Sequence, residues 1–437
     1  MIISNVETQK SNQMLSSSSE DSLLLCNHAD EINQNFKISK FSSLSFSNKK
    51  ELFIFFADHI SDLIDLAFKD TETEDSKKAF IFLSNGPPLI IDALTKDFIF
   101  FLRVTELLQD PSSLSNSCII QRISVIFNYL ILNDVQFSID SIGFLPQLLP
   151  YIGEDAVYDL FHTIFTNKSQ LKQMRIMLSS TSIDTYVINE IQNSPGYVNS
   201  SSFSTYSKEL NLLLIIRDGL TSKHLKKSFQ NDKVLNALYS ISTVTKEPLL
   251  LNQIWASLAL IVNQNLISKM KDVFDESMKI ISQPFERLHS YHISIFDFLA
   301  NIVDTDASMF TTTQKRLICQ TFQNLSLKFP NSTYLISSMF NFIRKSLHNR
   351  EFAQRILDGY ISFFIELGKS EKRTAVSASS LIFLADLDEM KTSSYLISKY
   401  LSENRKYISF HKSFFKNYLD ELHKPYGGNI QICSSRK

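Results

Sequence analysis

The chain has 437 residues, of which 44 are basic and 45 acidic, and its net charge of −1 provides no basic surplus that would indicate nucleic acid or an anionic membrane as a partner. This length exceeds one ordinary compact core and predicts either two or three domains or one elongated array of repeats. Hydrophobic residues make up 44%, whereas only 9 glycines and 10 prolines punctuate the chain, which disfavours all-β and Rossmann-type folds and favours long helices.

The two ends of the chain differ from the middle. Residues 1–40 include the polar stretch "SNQMLSSSSEDS", which has no hydrophobic period and is predicted to be disordered. Glu20 and Asp21 follow four serines, a pattern compatible with a phosphorylation tail or with a plain solubilising linker. The start "MIISNVETQK" lacks the pattern of a secretory signal. Residues 425–437, "PYGGNIQICSSRK", are predicted to form a flexible tail.

Residues 41–424 are predicted to be helical throughout. The first helix is expected in "KKELFIFFADHISDLIDLAF", because its apolar residues recur at a spacing of 3.6 and share one face. These residues are Leu52, Phe53, Phe56, Ile60, Leu63, Ile64 and Ala67.

The stretch "FLPQLLPYIGEDAVYDLFHTIF", residues 144–165, predicts a hairpin of two helices. Pro146 suits the first turn of a helix and Pro150 helps to end it, while Gly153 is suited to the left-handed end of a helix. Glu154 and Asp155 then fall in the first turn of the next helix, where negative charge is favoured. The two apolar faces consist of Phe144, Leu145, Leu148, Leu149 and Ile152, and of Ala156, Val157, Leu160, Phe161, Ile164 and Phe165.

The hairpin pattern recurs along the chain with short polar breaks such as "NDV", "TKEP" and "DTDAS". Two helices and their breaks take roughly 40 residues, the spacing of HEAT and armadillo repeats. Each hairpin leaves apolar surface on both flanks, which neighbouring hairpins can bury. The sequence therefore predicts an all-α fold, an α-solenoid of HEAT/armadillo-like helical hairpins.

Motifs for catalysis or cofactor binding do not emerge. "GKS" occurs at residues 368–370, but Phe363 stands where a phosphate-binding loop needs its first glycine, so a helix end is predicted. HExxH, GxSxG and CxxC motifs are absent, and so is any run of 18 apolar residues. We predict no catalytic residue, no cofactor and no membrane span. The four cysteines lie far apart, without metal-ligand spacing: Cys26, Cys118, Cys319 and Cys433.

Two histidines, His289 and His292, have the i, i+3 spacing of a metal pair. Since the spacing suggests no third ligand, we predict instead a contact at a helix start or a buried hydrogen bond. Trp255 lies among apolar residues and is predicted to be in the core. The basic stretch "SKHLKKSF", residues 222–229, predicts an exposed helix end, with contact to an acidic partner as the alternative.

Asp155, Asp159 and His162 form the cluster that most resembles an active site, with spacing i, i+4, i+7 on one helical face. That face is opposite the apolar one, where a solenoid helix meets water. The expectation is a solvated face, with contact to a protein partner as the functional alternative. These three residues are the candidates for partner binding.

Residues in the 144–165 hairpin resemble a segment of the SAPS-domain family, the regulatory subunits of protein phosphatase 6 and its fungal counterpart. Tyr151 stands where that family usually has histidine, and Phe161 replaces a leucine. The matching residues are Leu148, Leu149, Ile152, Gly153, Ala156, Asp159 and Leu160.

Two later blocks resemble the same family in the same order. The first is "LHSYHISIFDFLANIV", and the second is "FPNSTYLISSMFNFI", although the second lacks the family's tryptophan and histidine. The matching residues are Leu288, Ile293, Ile295, Phe296 and Asp297, and then Phe329, Pro330, Tyr334 and Leu335.

The resemblance implies a non-enzymatic scaffold that binds the catalytic subunit of a PPP-type Ser/Thr phosphatase, similar to phosphatase 6, and directs its substrates. It implies protein partners, and the expected location is the cytoplasm, with the nucleus as a second compartment. The alternative from another class is a generic armadillo/HEAT-type adaptor for transport or cytoskeletal cargo. A third alternative, an enzyme with an unrecognised helical active site, would require a polar pocket with titratable groups.

Overall fold

The computed structural model describes residues 49–69, 73–109, 117–166, 168–194 and 207–422. Within these ranges the protein is all-helical and has no β-strand, which confirms the predicted fold class at this level. The predicted disordered segment 1–40 and the predicted tail 425–437 lie outside the described residues. The chain divides into two compact units, residues 1–178 and 179–437.

Ten α-helices are described in the first unit. In chain order α1 to α10 are Lys49–Asp58, Ile60–Lys69, Glu74–Asn85, Pro88–Thr95, Ile99–Gln109, Ser117–Asn133, Val135–Asp140, Leu145–Leu148, Asp155–Phe165 and Lys172–Leu178. Short 3₁₀ segments cover Lys96–Phe98, Ser141–Phe144, Leu149–Tyr151 and Ser169–Leu171.

Helix α6 is the centre of the first unit and packs against α3, α4, α7 and α9. Its sequence "SCIIQRISVIFNYLILN" is apolar on several sides, which suits a helix surrounded by neighbours. Ile123, Ile126, Phe127 and Leu130 are fully buried. The remaining helices thus bury their apolar faces around one central element.

Two predictions for this unit need correction. The first predicted helix is two helices, α1 and α2, separated at His59, although its predicted face is buried except for the half-buried Phe53. The first arm of the predicted hairpin is no regular helix. It is a 3₁₀ segment, the four-residue α8 and a second 3₁₀ segment, because Pro150 lacks the N–H that would continue an α-helix.

Fourteen α-helices are described in the second unit. In chain order α11 to α24 are Ile183–Gln192, Ser207–Thr221, Lys226–Phe229, Asp232–Val244, Pro248–Ile261, Lys271–Ser282, Ser290–Thr305, Thr312–Lys328, Thr333–Ser346, Arg350–Lys369, Ala375–Met390, Tyr395–Glu403, Arg405–Phe410 and Lys416–Leu422. Ile267–Lys269 and Ala307–Met309 are 3₁₀ segments, and His411–Phe415 is a π-helix.

The second unit has two layers of helices. In one layer α12, α15, α17, α19 and α21 pack each against the next, and in the other α16, α18, α20 and α22 do the same. Four helices of the first layer begin at Pro248, Ser290, Thr333 and Ala375, spaced 42, 43 and 42 residues apart. The predicted spacing of roughly 40 residues for a helix pair is therefore observed here.

Capping residues explain where many of these helices start. A side-chain oxygen accepts a hydrogen bond from a backbone N–H in the first turn, which satisfies a donor that has no partner within the helix. This occurs at Asn231, Thr311, Asn349, Thr374, Ser394 and Asn404. The "GKS" stretch lies at the end of α20, as predicted, with Ser370 at its C-cap.

Alanine substitution at two helical glycines of the second unit is expected to change the free energy of unfolding in opposite directions. A Cβ on Gly219 would lie 2.6 Å from the ring of Phe229, whereas nothing lies within 4 Å of one on the exposed Gly359. We expect Gly219→Ala to lower the free energy of unfolding by about 1–2 kcal/mol, because the buried ring must move. Gly359→Ala should raise it by about 0.5–1 kcal/mol, since only helix propensity changes. Urea unfolding of both variants measures the two signs, and equal signs would contradict the packing at Gly219.

Candidate functional site

The three predicted partner-binding residues lie on helix α9. Asp155 and Asp159 are exposed, and His162 is half-buried with its ring stacked on Tyr158 at 5.7 Å between centroids. Glu154 is the N-cap rather than a residue of the first turn, so Asp155 is the only acid in that turn. The two carboxylates therefore face solvent on one side of the helix, while the ring of His162 is partly covered by Tyr158.

Helix α9 is held against α6 by its opposite side. Gln121 of α6 donates a hydrogen bond through Nε2 to Glu154 Oε2 at 2.8 Å. This bond connects the N-cap of α9 to the central helix. The buried face that packs beneath consists of Val157, Leu160, Phe161, Ile164 and Phe165.

A buried arginine fixes the C-terminal end of α9. Arg175 is 2% exposed, and its guanidinium donates to the carbonyl oxygens of Ile164 at 3.2 Å, Thr166 at 2.6 Å and Lys168 at 2.6 Å. Burial lowers the pKa of this guanidinium from its ordinary value. The last carbonyls of a helix lack partners within the helix, and a cation at that end also favours the helix dipole. Arg175 therefore holds the candidate surface in place without touching it.

The same device occurs once more in the first unit. Arg122 of α6 donates to the carbonyl of Ala67 and to Ser76 Oγ, both at 2.6 Å, at the end of α2. Sequence analysis did not identify either arginine. The available signal was a single arginine within an otherwise apolar helix, as in "QRISVIF" and "QMRIML".

The exposed face of α9 offers two carboxylates to a partner. Asp155 and Asp159 lie one helical turn apart and can accept hydrogen bonds from lysine or arginine side chains of a partner. Among the described residues no group of three histidines, cysteines or acids is arranged to hold a metal ion. Two exposed carboxylates on one helix face offer electrostatic complementarity to a basic surface.

Polar side chains also connect successive helices in the first layer of the second unit. Arg217 donates to Gln253 at 2.7 Å, and Ser294 donates to Asn252 at 3.0 Å. Lys345 Nζ donates to Asn301 Oδ1 at 2.8 Å. Further links join Lys345 to Asp304, Arg344 to Asp386, and Asn301 to the carbonyl of Ala259.

These links have a consequence for the accessible side of the first layer. Most of the side chains in these links are half-buried. Each link therefore holds two neighbouring helices in register, while part of each side chain remains accessible to a partner. Both acidic and basic side chains take part in these links. Such a surface offers hydrogen-bonding groups at the spacing of adjacent helices, about 8–10 Å.

The histidine pair has the structural role that the sequence predicted. His289 precedes α17, and its backbone N–H donates to Nδ1 of His292 at 3.0 Å. The ring of His292 is 2% exposed and stacks on Phe285 at 4.0 Å between centroids. Burial lowers the pKa of His292 to about 4. The ring is therefore neutral at pH 7 and accepts a hydrogen bond at the helix start.

The structure also shows where Trp255 and the basic stretch 222–229 lie. Trp255 is fully buried and packs edge-on against Phe298, 5.6 Å between ring centroids, which confirms the predicted core position. In residues 222–229 the three lysines are exposed near the end of α12, as predicted. Leu225 and Phe229 anchor that stretch in the core.

Comparisons with known proteins leave the family open. No family model matches the chain, and no curated protein matches it. Among solved structures the chain is similar to an engineered protein known from a crystal structure, with 12% identity and a TM-score of 0.38. That match covers 81% of this chain and 99% of the engineered one. None of the described helices combines the length and apolar character needed to cross a membrane.

Proposed function

We propose that this chain is an α-solenoid that acts as a non-catalytic scaffold for protein partners. The observation that carries the proposal is the period of the second unit, in which equivalent helices start 42, 43 and 42 residues apart and pack each against the next. Repeats of this kind present extended surfaces to partners, and contacts between neighbouring repeats provide their stability.

The proposed partner is the catalytic subunit of a PPP-type Ser/Thr phosphatase similar to phosphatase 6. Its support is the resemblance of the 144–165 segment and of two later blocks to the SAPS-domain family. In this role the chain holds the enzyme and selects substrates by surface complementarity. It supplies no catalytic group, and its proposed location is the cytoplasm, extending to the nucleus.

The competing proposal is a generic adaptor for transport or cytoskeletal cargo, which the same helical architecture would serve. Affinity purification of the full chain followed by mass spectrometry separates the two. Stoichiometric recovery of a PPP-type catalytic subunit supports the phosphatase role. Recovery of transport or tubulin-associated cargo in its place would favour the adaptor. Direct binding of the purified catalytic subunit to the chain is the decisive second step.

The exposed face of α9 provides a prediction for this interaction. Reversing both charges, Asp155→Lys with Asp159→Lys, is expected to weaken binding of the catalytic subunit at least tenfold, because carboxylates that pair with a basic surface become repulsive. The loss should shrink at high salt, since exposed charges are screened. Surface plasmon resonance at two ionic strengths measures both effects.

A matched control reverses two other exposed acids of the first unit. Asp58→Lys with Asp92→Lys changes the net charge equally but lies on α1 and α4. Affinity of this variant should stay within twofold of the unchanged chain. If both double variants bind normally, α9 is not the contact face; if the unchanged chain does not bind the phosphatase, the phosphatase role itself is wrong.

A further inference from the structure

A pocket of about 210 Å³ lies near the end of the described chain, beside α22 and the π-helix. Lys391, His411 and Lys412 contribute basic side chains to it, and Ser398 and Ser402 contribute hydroxyl groups. Leu401 and Ile408 supply the apolar part of its wall. The residues that line it include no carboxylate.

The segment around the pocket has a net excess of basic residues. Residues 386–416 contain six lysines and arginines and four acids, Asp386, Asp388, Glu389 and Glu403, in a chain whose net charge is only −1. Local charge of one sign around a concave site concentrates counter-ions of the other sign. The expected ligand of this pocket is therefore an anion.

A half-buried carboxylate next to the pocket orients two of the side chains that line it. Asp388 Oδ1 accepts hydrogen bonds from Lys391 Nζ and from the hydroxyl of Tyr407, the latter at 2.7 Å. His411 Nε2 lies 3.7 Å from the same oxygen. Burial would raise the pKa of Asp388, but the hydrogen bonds from Lys391 and Tyr407 outweigh it and hold that pKa below its usual range. The carboxylate thus stays charged and fixes the lysine, which retains two further N–H donors.

The π-helix explains how the remaining basic groups reach the pocket. Phe410 and Phe415 are both fully buried, five residues apart, with ring centroids 5.1 Å from each other. This spacing fits the wider turn of a π-helix, an element that is frequent at functional sites. The residues between the two rings include His411 and Lys412, which both line the pocket.

We propose that this pocket binds the phosphoryl group of a phosphorylated serine or threonine on a partner protein. A phosphomonoester carries a charge close to −2 and three acceptor oxygens, which match two lysines, a histidine and the hydroxyl of Ser398. Leu401 and Ile408 offer apolar contact for the methylene or methyl group next to the phosphate. This proposal does not depend on which enzyme or cargo the scaffold carries.

A membrane headgroup has the same phosphate chemistry but fits the surroundings less well. Among the described residues after Met390, Tyr395 is the only large hydrophobic side chain that is exposed. Stable binding at a bilayer generally adds insertion of apolar side chains to electrostatic attraction. One tyrosine provides little for insertion, so a protein-borne phosphate is favoured.

The test uses the full chain and fluorescent peptides. A degenerate phosphoserine peptide library, its phosphothreonine counterpart and the unphosphorylated library are compared by fluorescence anisotropy. At least one phosphorylated library is expected to bind at least tenfold tighter than the unphosphorylated one, and millimolar inorganic phosphate should compete. Lys412→Glu should lower the phosphopeptide affinity at least tenfold. Lys399→Glu, an exposed lysine of α22 that does not line the pocket, should lower it less than threefold.

Two outcomes would overturn the proposal. Equal binding of phosphorylated and unphosphorylated peptides would mean that the pocket does not recognise phosphate. Binding to vesicles that contain phosphatidylinositol phosphates, without binding to any soluble phosphopeptide, would assign the site to a membrane. Circular dichroism of Lys412→Glu verifies that the variant is folded, so that a lost affinity reports on the pocket.

Discussion

Replacing Arg175 by methionine is expected to destabilise the first unit by about 2–4 kcal/mol, because it removes three hydrogen bonds from a buried cation and leaves the carbonyl of the buried Ile164 without this donor. Methionine fills much of the space of the arginine stem but offers no N–H to Ile164, Thr166 and Lys168. The end of α9 should then open locally. Hydrogen exchange measured by mass spectrometry over residues 155–178 and urea unfolding followed by circular dichroism are the suitable measurements.

Arg103→Met is the matched control for this prediction. Arg103 forms ion pairs with Asp65 and Glu106, but its side chain is 40% exposed, so water replaces the lost partners. Exposed pairs contribute about 0–1 kcal/mol, and the control should remain near that range. Equal effects of the two substitutions would mean that Arg175 is no structural anchor. Arg175→Lys should give an intermediate loss, because one ammonium group cannot span the three carbonyls.

The apolar faces of the helices were predictable from sequence because burial follows a simple period. In the 144–165 segment the predicted core residues are buried, and only Ala156 is half-buried. The conformation of the first arm was not predictable in the same way. Its spacing is helical, yet Pro146 and Pro150 divide it into 3₁₀ and short α segments that still direct the same side chains inward.

Contacts between polar residues of different helices could not be predicted from the sequence, for a physical reason. His289 and His292 are three residues apart, so their contact at a helix start followed from local geometry. Arg175 and the carbonyls that it caps are 7 to 11 residues apart, across a helix end. Asp388 and Tyr407 are 19 residues apart and meet only because α21 and α23 belong to one packed unit. The sequence separation of two residues does not predict such contacts.

Acid is expected to destabilise the second unit through His292. The unfolded residue takes up a proton near its ordinary pKa of 6.5, whereas the folded ring does so only at about 4. Between these pH values the unfolded state binds more protons, so the free energy of unfolding falls as the pH is lowered and is unaffected above pH 6.5. The expected loss from this one ring is about 2–3 kcal/mol by pH 4.

His292→Gln isolates this contribution, because glutamine can accept the N–H of His289 at the same helix position but does not titrate. Trp255, the single tryptophan, is buried in α15, which packs against α17, so its fluorescence during urea unfolding reports on this region. Between pH 7 and pH 4.5 the variant should lose about 2 kcal/mol less than the unchanged chain. His348→Gln, at an exposed histidine, should keep the pH dependence of the unchanged chain. Identical pH profiles for all three proteins would show that the ring of His292 does not stay neutral in the folded state, and its assignment as a buried acceptor at the helix start would then fail.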